Sequence, residues 1–127
     1  YASGMNNHMG SRATQDEAVM ETVLSLLAVK GLFFLDSRTT AATKGREIAL
    51  RTNTPFLERN VFLDTDMDPQ VIRERVEQGC RIAESNGFAV LIGHVQHGEV
   101  LPVLREYLDT LREKRITLVP LSAIFAK

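Results

Sequence analysis

Three histidines and a set of aspartates carry most of the chemistry this sequence offers. His8 lies in "NNHMGSR", a run dense in side-chain donors and acceptors. Asp36, Ser37 and Arg38 close the apolar run "LFFL". Asp64 and Asp66 follow "VFL", and His94 follows "FAVLIG", with His97 three residues later. Two imidazoles and a carboxylate are the donor set of a zinc or similar divalent-metal site, and the same groups serve as general acid and base. His8, His94 and Asp36 are the candidates for either role. Asn7, Ser11, Arg12, Ser37, Arg38 and His97 are candidates to hold a substrate. Asn7 and Ser11 are placed to orient the His8 ring. Arg38 is placed to pair with Asp36 or to bind a substrate oxygen. Asp64 and Asp66 read as turn residues ahead of a helix cap.

Those residues need a scaffold that gathers them. Thr14 and Glu17 read as a capping box, and Val19, Val23, Leu26 and Leu27 as the stripe of a helix ending at Lys30–Gly31. Residues 1–5 read as a short strand, 32–35 as a buried strand and 41–52 as a helix. A strand is expected at 61–63. Asp68 before Pro69 is an N-cap followed by proline at the first helical position. That helix carries Ile72, Val76, Cys80 and Ala83 to Gly87. Strands are expected at 88–92 and 116–119. Leu101, Leu104, Leu108 and Leu111 mark a helix between them, and residues 122–126 a short terminal one. Apolar strands that alternate with helices and lack in/out alternation imply a parallel sheet covered by helices, an α/β fold. Ligands of such folds bind at the carboxyl ends of strands, where the histidines and aspartates fall.

The chain has 127 residues, with 44% hydrophobic and 24% charged residues and a net charge of −1. No linker interrupts it, so one domain spanning 1–127 is expected. With no basic excess, nucleic acid is not an expected partner. No apolar run is long enough to span a bilayer as a helix. Cys80 is the single cysteine, which excludes an internal disulfide and cysteine-rich zinc sites. The glycines form no phosphate cradle, which ranks a flavodoxin-like or receiver-like module low.

"NNHMGSR", "GLFFLDSRT", "VFLD" and "AVLIGH", in this order and spacing, resemble the divergent polysaccharide deacetylase family, bacterial relatives of the NodB-like carbohydrate esterases. The resemblance implies part of a distorted (β/α) barrel, with parallel strands inside and helices outside. It implies a metal-dependent hydrolase, zinc-bound, acting on N- or O-acylated glycan of the cell envelope, in the periplasm or outside the cell. In that scheme one aspartate and two histidines hold the metal, an aspartate is the base and a late histidine protonates the leaving amine. His94 matches the late histidine and His8 a metal ligand, while Asp36 is placed as ligand or base. Two departures stand out. The relatives' H-x-x-x-H is absent, because Arg12 stands four residues after His8. Their opening strand with paired aspartates has no counterpart here. The chain is therefore expected to be the C-terminal part of a larger domain, completed by an upstream segment or by a second copy. A non-catalytic carbohydrate-binding module on the same scaffold is the alternative.

Overall fold

Phe33–Asp36 (β2) is the middle strand of the first sheet, with Gly4–Asn6 (β1) on one side and Phe56–Glu58 (β3) on the other. Both pairings are parallel, with Met5 opposite Phe34 and Leu35 opposite Leu57. The structure is a computed structural model and describes residues 2–125. Its described residues fall into two compact units, 2–58 with 120–125, and Arg59–Val119.

In the first unit, two helices follow β1. Ser11–Gln15 (α1) is a single turn and a half, and Glu17–Val29 (α2) is the long one. The expected capping box does not form. Asp16 is the cap of α2, its carboxylate accepting the Val19 N–H at 3.1 Å, while Thr14 lies buried inside α1. The buried face shifts with that start. Met20, Leu24 and Leu27 enter the core, and Val19 and Leu26 are exposed. They pack with Phe34, Ile48 and Ala49 into one apolar cluster. At roughly 25 cal/mol per Å² of apolar surface, such clusters supply the main drive to fold.

Gly45–Thr52 (α3) starts four residues later than expected, because residues 41–44 form a turn held by Thr43. β3 was not expected at all. Pro55 precedes it, and the Pro55 carbonyl takes the Phe34 N–H at 2.8 Å. A three-residue strand carries too little sequence pattern to be read alone. The expected short terminal helix is a 3₁₀ one, Leu121–Phe125, and Phe125 lies 5.3 Å from the Phe33 ring, centroid to centroid. Tyr1 and Ala126, the outer ends of two expected elements, lie outside the described residues.

The second unit is built on Val61–Phe62 (β4) and Leu91–Ile92 (β5), a parallel pair joined through Pro69–Asn86 (α4). Asp68 caps α4 as expected, accepting the Gln70 N–H at 2.8 Å, and Gly87 ends it at φ 84°. Ile72, Val76 and Cys80 are buried in one cluster with Leu63, Val100, Val103 and Leu111. The expected single helix of leucines is two, Val100–Glu106 (α5) and Leu108–Glu113 (α6), with Leu101 and Leu108 exposed. No strand forms at 116–119. Arg115 turns left-handed at φ 57°, the Ile116 N–H closes on the Leu111 carbonyl, and Leu118 and Val119 are exposed. Apolar β-formers become a strand only with a partner for their backbone, and no described strand pairs with them. Among the described residues, no helix is long and apolar enough to cross a membrane.

Candidate metal centre

The β4–β5 register positions the site. Val61 lies opposite Leu91 and Phe62 opposite Ile92, and the ladder extends with the Leu63 N–H on the Ile92 carbonyl at 2.8 Å. Two residues further, Asp64 meets His94. The His94 N–H donates to Asp64 Oδ2 at 2.6 Å, and His94 Nδ1 lies 3.0 Å from the same oxygen. A turn in which the His97 N–H bonds the His94 carbonyl at 3.0 Å then brings His97 Nδ1 to 2.8 Å from Oδ2. The two imidazoles stand 5.3 Å apart, tilted by 55°.

The Asp64 side chain is 1% exposed, while His94 and His97 are 31% and 37% exposed. Burial pushes the Asp64 carboxyl up. The backbone bond from His94, the two ring contacts and the His94 charge outweigh it and hold the group below its usual value. A buried carboxylate is kept ionised in this way, with two ring nitrogens aimed at it.

The donor set fits a divalent cation. Asp64, His94 and His97 each offer one ligand atom, and all three atoms lie within 4.8 Å of one another. Ligands at 2.0–2.2 Å in a tetrahedron about zinc sit roughly 3.3 Å apart. The observed 2.8 and 3.0 Å are close to that spacing. Two nitrogens and one oxygen leave at least one position open to water or substrate, as catalytic zinc sites require.

Asp64 is the residue that reading from sequence missed. It looked like one more turn aspartate beside Asp66, which does serve the turn by accepting the Asp68 N–H at 2.9 Å. The signal available was the pairing of "VFLD" with "VLIGH", strands whose alignment sets Asp64 against His94. His97, read as a substrate-binding candidate, stands beside His94 as a donor.

The other candidates belong to the first unit. His8 is exposed in the turn after β1. Asn7 Oδ1 accepts the Ser37 N–H at 2.8 Å, and the Asn7 carbonyl accepts the Ser37 hydroxyl at 2.5 Å. Ser11 Oγ bonds Thr39 Oγ1 at 3.0 Å. Both side chains therefore tie the first loop to the second, where sequence had them orienting His8. Arg12 is exposed. Asp36 is 0% exposed, with Oδ1 on the Arg38 N–H at 2.7 Å and Oδ2 on the Thr43 hydroxyl at 2.6 Å. The Arg38 guanidinium pairs with Glu58 at 3.3 Å instead of with Asp36, and Arg46 binds the same carboxylate. Burial pushes the Glu58 carboxyl up, and Arg46 with Arg38 offsets this and holds it below its usual value.

The profile of the divergent polysaccharide deacetylases matches residues 1–125. The chain belongs to that family. It is 39% identical over 112 residues to an uncharacterized protein of Haemophilus influenzae, covering 88% of this chain and 40% of that protein. It is 36% identical over 124 residues to the uncharacterized protein YibQ of Escherichia coli, covering 98% of this chain and 38% of YibQ. The crystal structure of the uncharacterized protein ATU2773 from Agrobacterium tumefaciens C58 superposes with a TM-score of 0.89 at 24% identity, over 96% of this chain and 49% of that one. The chain thus spans less than half the length of each of these relatives. The fold class expected from sequence holds: parallel strands with intervening helices, of the NodB-like kind.

Proposed function

We propose that this deacetylase-family chain carries the metal centre of a hydrolase that removes acyl groups from N- or O-acylated cell-envelope glycan, in the periplasm or outside the cell. The observation that carries this is the convergence of His94 and His97 on the buried Asp64 carboxylate. When bound there, a divalent metal, zinc by donor type, supplies Lewis-acid polarisation of an acyl carbonyl and a more acidic water. Asp64 anchors the set, fixed by the His94 N–H so that its Oδ2 cannot swing away. The half-exposed rings meet an incoming ligand before the buried carboxylate does.

A binding module without turnover is the second reading. It is favoured by Asp36, which is fully buried and hydrogen-bonded through both oxygens inside its own loop, away from solvent water.

The test is zinc titration of the intact chain by calorimetry, beside elemental analysis of protein purified without chelator. One zinc per chain is expected, with affinity at least tenfold lower in His97→Ala and in Asp64→Asn, since each loses a ligand. A chain that takes up no zinc, or variants that bind it as the parent does, would overturn the metal-centre reading. Glycan binding that persists undiminished in chelator would favour the binding module.

A further inference from the structure

Asn7 is the one residue among those described that buries a side-chain polar atom, its Nδ2, with no hydrogen-bond partner. Buried amide donors are almost always satisfied, so such an exception calls for a cause. The orientation of the amide is not in question, because Oδ1 accepts the Ser37 N–H at 2.8 Å and the nitrogen must point the other way. Gly10 lies against Nδ2. A Cβ placed on Gly10 would come within 3.2 Å of Nδ2 and 3.0 Å of the Asn7 Cβ, so only the bare glycine backbone fits on that side. Its neighbour Met9 sits at φ 50°, a left-handed conformation that a side chain with Cβ adopts at a cost. Met9 is also 84% exposed, so the turn is not fastened by burial of that side chain.

The ground under Asn7 is firm by contrast. The Asn7 carbonyl holds the Ser37 hydroxyl, the Asn6 amide reaches the same hydroxyl at 3.3 Å, and Ser37 is buried. Ser11, where α1 begins, is bonded to Thr39. A strained, glycine-covered turn thus lies between two fixed points, over a donor that has nothing to donate to. Arg38, in the second loop, pairs its guanidinium with Glu58. The loop pair therefore offers a neutral N–H and suits a neutral acceptor.

We propose that the Asn7 side-chain amide is a ligand-binding donor. A carbonyl or hydroxyl oxygen of an acylated sugar accepts from Nδ2 when the turn at residues 8–10 shifts off it. The identity of the ligand rests on the glycan reading above, while the unsatisfied donor does not. Relief of the Met9 conformation and of the unpaired N–H both favour the shifted turn once the oxygen is in place.

The test is a titration of the ¹⁵N-labelled intact chain with tetra-N-acetylchitotetraose, read by NMR. The Asn7 side-chain NH₂ pair is expected to shift saturably together with the Gly10 amide. Asn7→Asp keeps the acceptor for Ser37 and removes the donor, and should weaken binding about tenfold, the worth of one hydrogen bond. Asp68→Ala removes the α4 cap in the second unit, and should leave the affinity unchanged even where it lowers stability. Saturable shifts elsewhere with an unmoved Asn7 pair, or equal affinity in Asn7→Asp, overturn the proposal and leave the glycan reading standing. Absence of any saturable shift in the parent chain overturns both.

Discussion

Replacing Asp36 by alanine should unfold the first unit far more readily than its single carboxylate suggests. The side chain is fully buried and accepts from the Arg38 N–H and the Thr43 hydroxyl. Thr43 in turn accepts the Gly45 N–H at 3.1 Å, so Asp36 indirectly holds the start of α3. Alanine orphans two donors, and each buried unmet donor costs about 1–3 kcal/mol. Water reaches the loop in part, so a total of about 2–4 kcal/mol is expected. Asparagine is milder. Its oxygen retains the Arg38 N–H, and its NH₂ can donate to Thr43 Oγ1, which has a second lone pair, so the loss should be about 1 kcal/mol. Urea unfolding followed by circular dichroism measures this. With a slope of about 1.5 kcal/mol per molar, the midpoint should fall by roughly 1.3–2.7 M for alanine and by less than about 1 M for asparagine. Amide exchange at Arg38 and Gly45 should accelerate in step. An unchanged midpoint in Asp36→Ala would refute the capping argument. A stably folded Asp36→Asn that loses glycan hydrolysis more than about a hundredfold would return Asp36 to a chemical role.

Glu58→Gln should flatten the acid limb of the stability curve. The folded carboxyl is held low by Arg46 and Arg38, so the unfolded chain binds more protons as pH drops. The stabilisation is complete above the unfolded value of about 4.3 and is lost as pH falls through the lower folded value. Urea midpoints measured from pH 6 to pH 3 should therefore converge for parent and variant, and parallel curves would refute the ion-pair assignment. Asp68→Ala removes the α4 cap and should cost about 1 kcal/mol, with Pro69 still setting the first turn. A thermal midpoint unchanged in that variant would show that the cap bond carries no stability.

What could be read in advance was what local chemistry decides. Asp68 followed by Pro69 names a helix start by itself, and "LFFL" has no reading but a buried strand. Thr14 misled because a threonine and a glutamate at the right spacing compete with an adjacent aspartate. Asp16 captured the Val19 N–H, and the α2 stripe rotated with it. Ile116 to Val119 misled in the opposite way, since β-propensity describes a residue that already has a neighbouring strand. The candidate metal centre lay beyond local reading for the same reason. Asp64 gains its meaning only from the strand beside it, and nothing within "LDTDMDP" separates the aspartate that meets two histidines from the two that shape the turn and cap. His94 stood out as a candidate because a glycine and an apolar strand precede it. His97 was not legible as a donor, because its role depends on a turn closing back toward Asp64.

The whole candidate donor set is contributed by one strand–helix–strand piece, from Asp64 just past β4 to His97 just past β5, whose helix α4 packs Ile72, Val76 and Cys80 against residues of α5 and α6. Such a piece is a heritable cassette. Duplication, recombination or laboratory grafting could move it between sheets as a single stretch of gene, carrying ligands, spacing and register together. The walls around it, which would decide what reaches a bound cation, would then be free to diverge without re-inventing the donor set.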